Sequence, residues 1–395
     1  MPGRSGNLLT YAFLRRAGMG AIGRDASAAA PRVLVAVIDG MAEHRLQVGQ
    51  ALTSFYRVAC FEDLREAVPH LRREPPLALV VDESAKPFGG RETIRRLRNM
   101  PSLKEVRIIA TSGKVDSKLF STAEELGCDA ILSKPFRRSE LISTISSLVN
   151  HSIEAGWKRL GLYHRHALTS ALQTFNGISD LIDRGEAVEY VAVREACSPL
   201  VDAVQRNDFK AILNGVRGHD NYSYVHSMRV ATFLSLFGHA MGLKGEDLLL
   251  LSSGGLLHDI GKMSIPHEVL NKPGRLTDDE FAVMRGHVDS SAAYITQCPT
   301  MPKGVGLIAA QHHEKLDGSG YPNGLKGKEL NELARMAAIV DVFSALTDRR
   351  CYKPPMEPEN ALKIMHDEMG SHLDTQMLRL FIDLLLSSAE ESAAG

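Results

Sequence analysis

The sequence predicts a multidomain chain in which a doubly wound α/β domain is followed by an all-α domain. Between residues 31 and 150, short β-branched apolar runs alternate with amphipathic stretches, which is typical of a parallel sheet covered by helices. After residue 150 the strand-like runs stop, and apolar residues recur at the spacing of helices. A chain of 395 residues is also long enough for domains that each bury a core.

The composition is that of an ordinary soluble protein without a polyanionic partner. There are 46 Lys and Arg against 47 Asp and Glu, so charge gives no reason to expect a nucleic acid or a membrane as partner. The five cysteines are scattered without Cys-x-x-Cys spacing, which favours a reducing cytoplasm over a disulfide framework. Residues 1–30 are rich in Ala, Gly, Ser and Arg and are predicted to be a disordered tail.

Three strands and two helices can be predicted in the α/β part. The runs at residues 33–39, 77–82 and 106–112 are predicted strands, and residues 64–71 and 91–97 are predicted helices. In such a domain the functional groups lie at the carboxyl ends of the strands. Those ends carry Asp39, Asp82, Thr111 with Ser112, and Lys134 of an SKPF motif.

A carboxylate nucleophile, a lysine and a Mg²⁺ ion held by acids are what phosphoryl transfer to a protein requires. Residues 31–150 resemble a response-regulator receiver domain. The resemblance implies Asp82 as phosphoacceptor, Thr111 or Ser112 as switch hydroxyl, and Lys134 as the partner of the phosphoryl group. It also implies Mg²⁺ beside Asp39 and a sensor histidine kinase as phosphoryl donor.

Two features depart from the receiver pattern. Receivers usually have a second acid where Gly40 follows Asp39, and the proline of ESAKPFGG stands one position late. A receiver-shaped domain kept for homodimer formation or for docking of a partner therefore remains an alternative. Residues 151–177 are predicted to be a helical linker, either a signalling helix or a plain connector.

Seven candidate metal ligands are spread over the all-α part, several in apolar helical surroundings where an unpartnered polar group is costly. They are His226, His258, Asp259, His287, His312, His313 and Asp341. This number suits two ions with one carboxylate bridging them, and the ligand types favour Fe, Mn or Zn. Two such ions can activate water and clamp a phosphate ester. The remaining histidines, including His44 and His219, are expected to be structural.

The doublet His258-Asp259 followed by Lys262, the run HHEKLDGSGYP and the stretches NKPGRLTDDE and DVFSALTDRRCY resemble one family closely. This is the HD-GYP family of cyclic dinucleotide phosphodiesterases, within the HD metallophosphohydrolase superfamily. The resemblance covers residues 178–395.

The resemblance implies which ligands hold which ion. The first metal takes His226, His258, Asp259 and Asp341. The second takes His287, His312 and His313, with Asp259 bridging. Tyr222 stands where some members have a glutamate for a third metal, so two metals are expected.

The resemblance also implies substrate contacts. Lys262 would lie near the bridging ligand and, with Asp259, serve catalysis by stabilising the transition state. Arg350 and Lys353 would bind phosphate. Tyr321 of the GYP loop would stack on a guanine base or contact a protein.

The expected activity is hydrolysis of cyclic di-GMP to pGpG or onward to GMP, controlled by the receiver-like domain. The alternative is a non-catalytic sensor or scaffold that binds cyclic di-GMP, or a GGDEF-domain diguanylate cyclase through the GYP loop. The presence of all seven ligands favours the enzyme. A mononucleotidase of the HD superfamily is disfavoured by the second set of histidines.

Overall fold

A five-stranded parallel sheet forms the first part of the structure. The computed structural model describes residues 34–114, 116–270, 272, 274–348 and 356–394, so the predicted N-terminal tail lies outside it. The strands are β1 Leu34–Ile38, β2 Arg57–Phe61, β3 Ala78–Asp82, β4 Arg107–Ser112 and β5 Ala130–Ser133. Their order is β2-β1-β3-β4-β5, and every neighbouring pair is parallel. This is a doubly wound order, with its switch point between β1 and β3.

Helices cover both faces of the sheet. They are Ala42–Thr53, Leu64–Arg73, Gly90–Arg98, Lys118–Ser121 and Arg138–Val149. Because successive side chains of a strand point to opposite faces, Val35 and Val37 join one core cluster, and Ala36 and Ile38 join the other. The cluster around Val35 continues into the helical part of the chain, so the two parts share buried apolar surface.

All three predicted strands and both predicted helices of this part are confirmed, and two strands were missed. The missed strand β5 has only four residues, and its Ile131 is 50% exposed at the edge of the sheet. The missed strand β2 includes the exposed residue Cys60. Short edge strands lack the apolar run that identifies a buried strand in a sequence.

The second part of the described chain is helical, as predicted. Its α-helices are His151–Trp157, Leu162–Arg184, Tyr190–Gln205, Lys210–Val216, Tyr222–Ala240, Glu246–Leu257, His267–Leu270, Asp278–Thr296, Lys303–Gln311, Glu332–Thr347, Pro358–Glu368 and Thr375–Ala394. The helix Leu162–Arg184 runs unbroken past residue 177, where the linker was predicted to end. No helix in the described ranges is long and apolar enough to cross a membrane.

Two features of the helical part help to position the predicted metal ligands. A capping box is present, with Thr277 accepting from the backbone of Glu280 at the start of the helix that carries His287. The helices Tyr222–Ala240 and Glu246–Leu257 approach closely because Gly255 faces the backbone of Ala231. A Cβ atom at Gly255 would lie 2.6 Å from the Ala231 Cα. This close approach brings His226 and His258 near each other.

We expect Gly255→Ala to destabilise the protein by about 1–3 kcal/mol, because the added methyl group must push two packed helices apart. The matched control is Gly177→Ala on the helix Leu162–Arg184, where an added Cβ meets nothing within 4 Å. The control should leave stability unchanged or raise it by about 0.4–1 kcal/mol. Urea unfolding of both variants measures the difference, and equal midpoints would contradict the close helix contact.

Candidate metal centre

Five helices bring the seven predicted ligands to one place. His226 lies in the first turns of Tyr222–Ala240, and His287 and Asp341 lie within Asp278–Thr296 and Glu332–Thr347. His258 and His312 each directly follow the last residue of a helix, and Asp259 and His313 come next in the chain. All but His313 are nine-tenths or more buried. The structure thus brings together all seven residues that the sequence predicted as ligands.

Asp259 lies between two sets of histidines. Its Oδ2 is 3.3 Å from His258 Nε2 and 3.7 Å from His226 Nε2. Its Oδ1 is 3.2 Å from His287 Nε2 and 3.7 Å from His312 Nε2. Each oxygen therefore faces a different set, which is the geometry of a carboxylate that bridges two metal ions. Metal-compatible groupings are found on both sides of Asp259, one with His226 and His258 and one with His287, His312 and His313.

The inward nitrogens of three histidines are buried without a hydrogen-bond partner. The Nδ1 atoms of His258, His287 and His312 each donate to a backbone carbonyl three residues earlier, at 2.8, 2.6 and 2.9 Å. Because a carbonyl only accepts, the neutral ring leaves an unprotonated Nε2, and all three Nε2 atoms are unsatisfied, as is Asp259 Oδ1. Buried lone pairs pointing at one centre are a costly arrangement that divalent metal ions satisfy. The donor set therefore fits metal.

His226 is held differently, by carboxylates on both ring nitrogens. Its Nε2 is 3.0 Å from Asp341 Oδ1, and its Nδ1 is 2.9 Å from Asp348 Oδ2. Burial alone would lower the pKa of His226, but the two carboxylates raise it to about 9. A metal ion held at Nε2 would therefore have to compete with a proton.

Asp348 was missed by sequence reasoning. It is 122 residues from its partner His226, it is 5% exposed, and Arg229 pairs with it as well. It lies in the stretch DVFSALTDRRCY, directly after the apolar helix Glu332–Thr347, where an acid is equally typical of a solvated helix end.

The adjacent histidines are directed to different neighbours. His312 points to Asp259, whereas the ring of His313 stacks on Tyr321 with centroids 4.8 Å apart. Burial and the neighbouring His312 hold the pKa of His313 well below its usual value. This arrangement links the metal centre to the GYP loop.

The GYP loop is anchored by Glu314, a residue that, like Asp348, was not predicted from the sequence. The buried carboxylate of Glu314 accepts from the backbone N–H groups of Asn323 at 2.6 Å and Leu325 at 3.0 Å. Gly320 passes so close to this segment that a Cβ would lie 2.5 Å from Glu314 Cα. Glycine is therefore required there by contact with backbone.

Lys262 lies beside Asp259, as the family resemblance implied. Its Nζ contacts Asp259 Oδ2. Burial alone would raise the pKa of Asp259, but the charge of Lys262 and the neighbouring His258 hold it well below the usual range. Asp259 is therefore an anion at all physiological pH values. Arg350 and Lys353 lie outside the described residues.

The predicted receiver residues also come together. The Thr111 hydroxyl donates to Asp82 Oδ2 at 2.8 Å, and Lys134 Nζ lies 2.5 Å from Asp82 and 3.4 Å from Asp39. The hydroxyl of Ser112 turns away to Glu83. Of the two switch candidates, Thr111 is the one that contacts Asp82.

Two further residues enter this receiver site. The Ser84 hydroxyl is 2.6 Å from Asp82 Oδ1 and 3.0 Å from Asp39 Oδ1. His44, which the sequence suggested was only structural, contacts Asp39 and completes a grouping of Asp39, His44 and Asp82 that could hold a metal ion. Burial would raise the pKa of Asp39, but the hydrogen bond from His44 and neighbouring charges lower it to about 2.

A helical domain with a carboxylate shared between two histidine sets, joined to a receiver-like sheet, is typical of metallophosphohydrolases that carry a receiver domain. Comparison of the sequence with family models and with known proteins agrees with this description. The HD domain family model matches residues 216–377, and the response regulator receiver domain model matches residues 35–146. The cyclic di-GMP phosphodiesterase response regulator RpfG of Xanthomonas campestris is 30% identical over 299 residues, covering 75% of this chain and 72% of that protein. The chain therefore belongs to the HD-GYP family of cyclic di-GMP phosphodiesterases that carry a receiver domain.

Two other relatives match over shorter fractions of their length. A cyclic di-GMP phosphodiesterase of Pseudomonas aeruginosa is 36% identical over 202 residues, covering 50% of this chain and 48% of that protein. The 3'3'-cGAMP-specific phosphodiesterase 2 of Vibrio cholerae is 29% identical over 269 residues, covering 68% of this chain and 45% of that protein. The chain thus spans about half the length of these two relatives.

We expect Asp348→Asn to lower the affinity of the protein for Mn²⁺ by roughly tenfold to a hundredfold, because the carboxylate that orients His226 is lost. The matched control is Asp247→Asn, which removes an equal charge from the exposed first turn of the helix leading to His258. Competition with a chromophoric chelator measures both affinities. Wild-type affinity in Asp348→Asn would show that this pair does not orient the ligand.

Proposed function

We propose that this protein is a two-metal phosphodiesterase that hydrolyses cyclic di-GMP to pGpG or onward to GMP under control of its receiver domain. The observation that carries the proposal is Asp259, whose two oxygens face separate sets of buried histidines with unsatisfied Nε2 atoms. The relatives' named activities supply the substrate, because two of the three reported above are cyclic di-GMP phosphodiesterases.

The proposed ligands are those predicted from the sequence. The first ion is assigned to His226, His258, Asp259 and Asp341, and the second to His287, His312 and His313 with Asp259 shared. Histidine with carboxylate favours Fe or Mn. A bound pair of divalent ions supplies the positive charge that activates a water molecule and neutralises a phosphate diester.

The chain itself supplies positioning and charge. Lys262 beside Asp259 places a fixed cation where negative charge grows on the phosphate in the transition state. Because its pKa is depressed, Asp259 stays ionised and can remain a ligand throughout. Tyr321 next to His313 offers a ring face for a base. Arg350 and Lys353 are proposed as phosphate contacts from their sequence positions alone.

The remaining assignments are also proposals. Asp82 is proposed as phosphoacceptor, with Thr111, Lys134 and a Mg²⁺ ion beside Asp39, and a sensor histidine kinase as donor. The oxygen atoms of two buried carboxylates suit Mg²⁺. We further propose that a GGDEF-domain protein binds at the GYP loop, that the protein forms a homodimer and that it is located in the cytoplasm. The proposed domain boundaries are residues 31–150, 151–177 and 178–395.

Hydrolysis of cyclic di-GMP by protein purified without oxygen and loaded with Fe(II) or Mn(II) tests the activity. We expect turnover in the wild type and none in the double variant His258→Ala/Asp259→Ala, because both metal sites then lose a ligand. The control His239→Ala removes an exposed histidine from the last turn of Tyr222–Ala240 and should keep wild-type turnover. Tight nucleotide binding without turnover in any metal would leave the sensor or scaffold alternative.

Control by the receiver is supported by one buried serine that contacts two ligand-bearing segments. The Ser54 hydroxyl, at the end of the helix Ala42–Thr53, donates to the carbonyl of Lys262 at 3.1 Å. Its backbone carbonyl accepts from the Ser223 hydroxyl at 2.6 Å, three residues before His226. A movement of this helix would therefore reach directly the two segments that carry Asp259 and His226.

A second residue, Arg138, connects the receiver site to this region of contact between the helix Ala42–Thr53 and the helical part, which we call the junction. Arg138, four residues after Lys134, donates to the carbonyls of Ala51 at 3.1 Å and Met263 at 3.4 Å and pairs with Asp183 at 2.8 Å. A cavity of about 830 Å³ adjoins these contacts, and Arg138, Met263 and Asp183 line it. Polar contacts with open space beside them thus add to the buried apolar surface that the two parts share.

We expect Ser54→Ala to reduce the response to the receiver, because the direct contact with Lys262 is lost. The ratio of hydrolysis rates with and without acetyl phosphate should move toward one in Ser54→Ala. It should be unchanged in Ser147→Ala, an exposed serine bonded only within its own helix. Mass measurement with an Asp82→Asn variant confirms the site of phosphorylation. An unchanged ratio in Ser54→Ala would exclude this junction as the route.

A further inference from the structure

Three side chains beside the second set of histidines have no part in metal binding. They are Phe281 and Arg285 on the helix Asp278–Thr296, and Tyr321 on the GYP loop. The rings of Phe281 and Tyr321 lie 6.0 Å apart at 78°, in edge-to-face contact. The Arg285 guanidinium lies 5.5 Å from the centre of the Phe281 ring and 5.8 Å from that of Tyr321.

Arg285 is exposed, and its charge is not matched by an acid. Within the part of the chain that the structure describes, no carboxylate forms an ion pair with its guanidinium. Phe281 is 45% exposed, so its ring is accessible to a ligand. The spacing of four residues puts Phe281 and Arg285 on one face of their helix, and His287 follows two residues later.

A continuous series of rings joins this group to the metal centre. The centroids of His287 and His313 are 5.2 Å apart, and those of His313 and Tyr321 are 4.8 Å apart. A nucleotide whose phosphate lies among the metal ligands carries its base one ribose away from that phosphate. On this side of the centre, the groups that the base would meet are Tyr321, Phe281 and Arg285.

We propose that Phe281, Arg285 and Tyr321 form a base subsite selective for guanine. This inference rests on the proposed function, because it assumes that a nucleotide phosphate occupies the metal centre. The two rings supply stacking and edge contacts that any base can use. Arg285 supplies the selectivity, because its planar fork donates two hydrogen bonds to the O6 and N7 acceptors of guanine.

Adenine is disfavoured by the same geometry. Where guanine has the O6 acceptor, adenine has an amino group that donates, so one arm of the Arg285 fork would face another donor. A bidentate arginine contact discriminates against the wrong base by roughly tenfold to a hundredfold. The subsite would thus separate cyclic di-GMP from cyclic di-AMP at each base that it binds. A lysine cannot reproduce the fork.

Binding of GMP and AMP to the Mn²⁺-loaded protein, measured by calorimetry, tests the subsite. Neither nucleotide is a phosphodiester, so the result does not depend on whether the protein hydrolyses one. We expect the wild type to bind GMP about tenfold or more tightly than AMP. Arg285→Lys, which keeps the charge, should bring the ratio of the two affinities close to one.

Two further variants separate the parts of the subsite. Phe281→Leu should weaken GMP and AMP to the same degree, because stacking does not depend on the base. Lys303→Ala removes a positive charge from the exposed start of the helix that ends before His312, and it should change neither affinity nor ratio. The ratio of kcat/KM for cyclic di-GMP and cyclic di-AMP should follow the binding ratio in every variant.

Three results would overturn the inference: equal affinity for the two nucleotides in the wild type, no detectable binding of either, or a guanine preference that persists in Arg285→Lys. Turnover of cyclic di-GMP together with any of these would leave the proposed function standing and remove the subsite. An Arg285-dependent guanine preference in a protein that hydrolyses nothing would support the subsite and refute the catalytic function.

Discussion

The helical domain depends on the burial of one carboxylate among four imidazoles. Asp259 is 9% exposed, and its oxygens lie 3.2 to 3.7 Å from the Nε2 atoms of four histidines. Each unsatisfied buried polar atom costs about 1–3 kcal/mol. Three of these nitrogens and one oxygen of Asp259 have no hydrogen-bond partner. Metal binding and the stability of this helix packing are therefore coupled, since the ions satisfy the groups that the fold brings together.

Three of these histidines are oriented by the same kind of hydrogen bond to helix backbone. His258, His287 and His312 each use a carbonyl three residues earlier in their own helix to fix Nδ1, which turns Nε2 toward Asp259. Only local backbone is needed, so the ligand and its orientation come from the same short segment. His226 lies near the start of its helix, and its Nδ1 is held instead by the distant Asp348. Of these four histidines, His226 is therefore the one that is oriented by a residue from elsewhere in the chain.

This distinction also shows what could be predicted from the sequence. Ligands embedded in apolar helical runs, such as His258 in LLHDI, are visible because a buried polar residue requires a partner. The buried strands β1, β3 and β4 are visible for a similar reason, since they form apolar runs. The supporting residues were not visible.

Asp348, Ser54 and His44 acquire their positions only through tertiary contacts. Asp348 meets His226 across 122 residues, and Ser54 meets Lys262 across 208. His44 is five residues from Asp39, but its contact depends on how the helix Ala42–Thr53 leaves β1. Polar residues near helix ends are common in any sequence, so nothing local separates these three from solvated ones. Side chains that orient a ligand are thus harder to predict than the ligand itself.

The two adjacent histidines show how one short segment can contact both the metal centre and the loop that contains Tyr321. Because His312 directly follows the end of its helix, it still uses a helical carbonyl to orient its ring toward Asp259. His313 is already outside that helix, and its ring lies against Tyr321. Glu314 then binds the backbone of the returning loop. Three consecutive residues therefore supply two proposed metal ligands, one of which also lies against Tyr321, and an anchor for the loop.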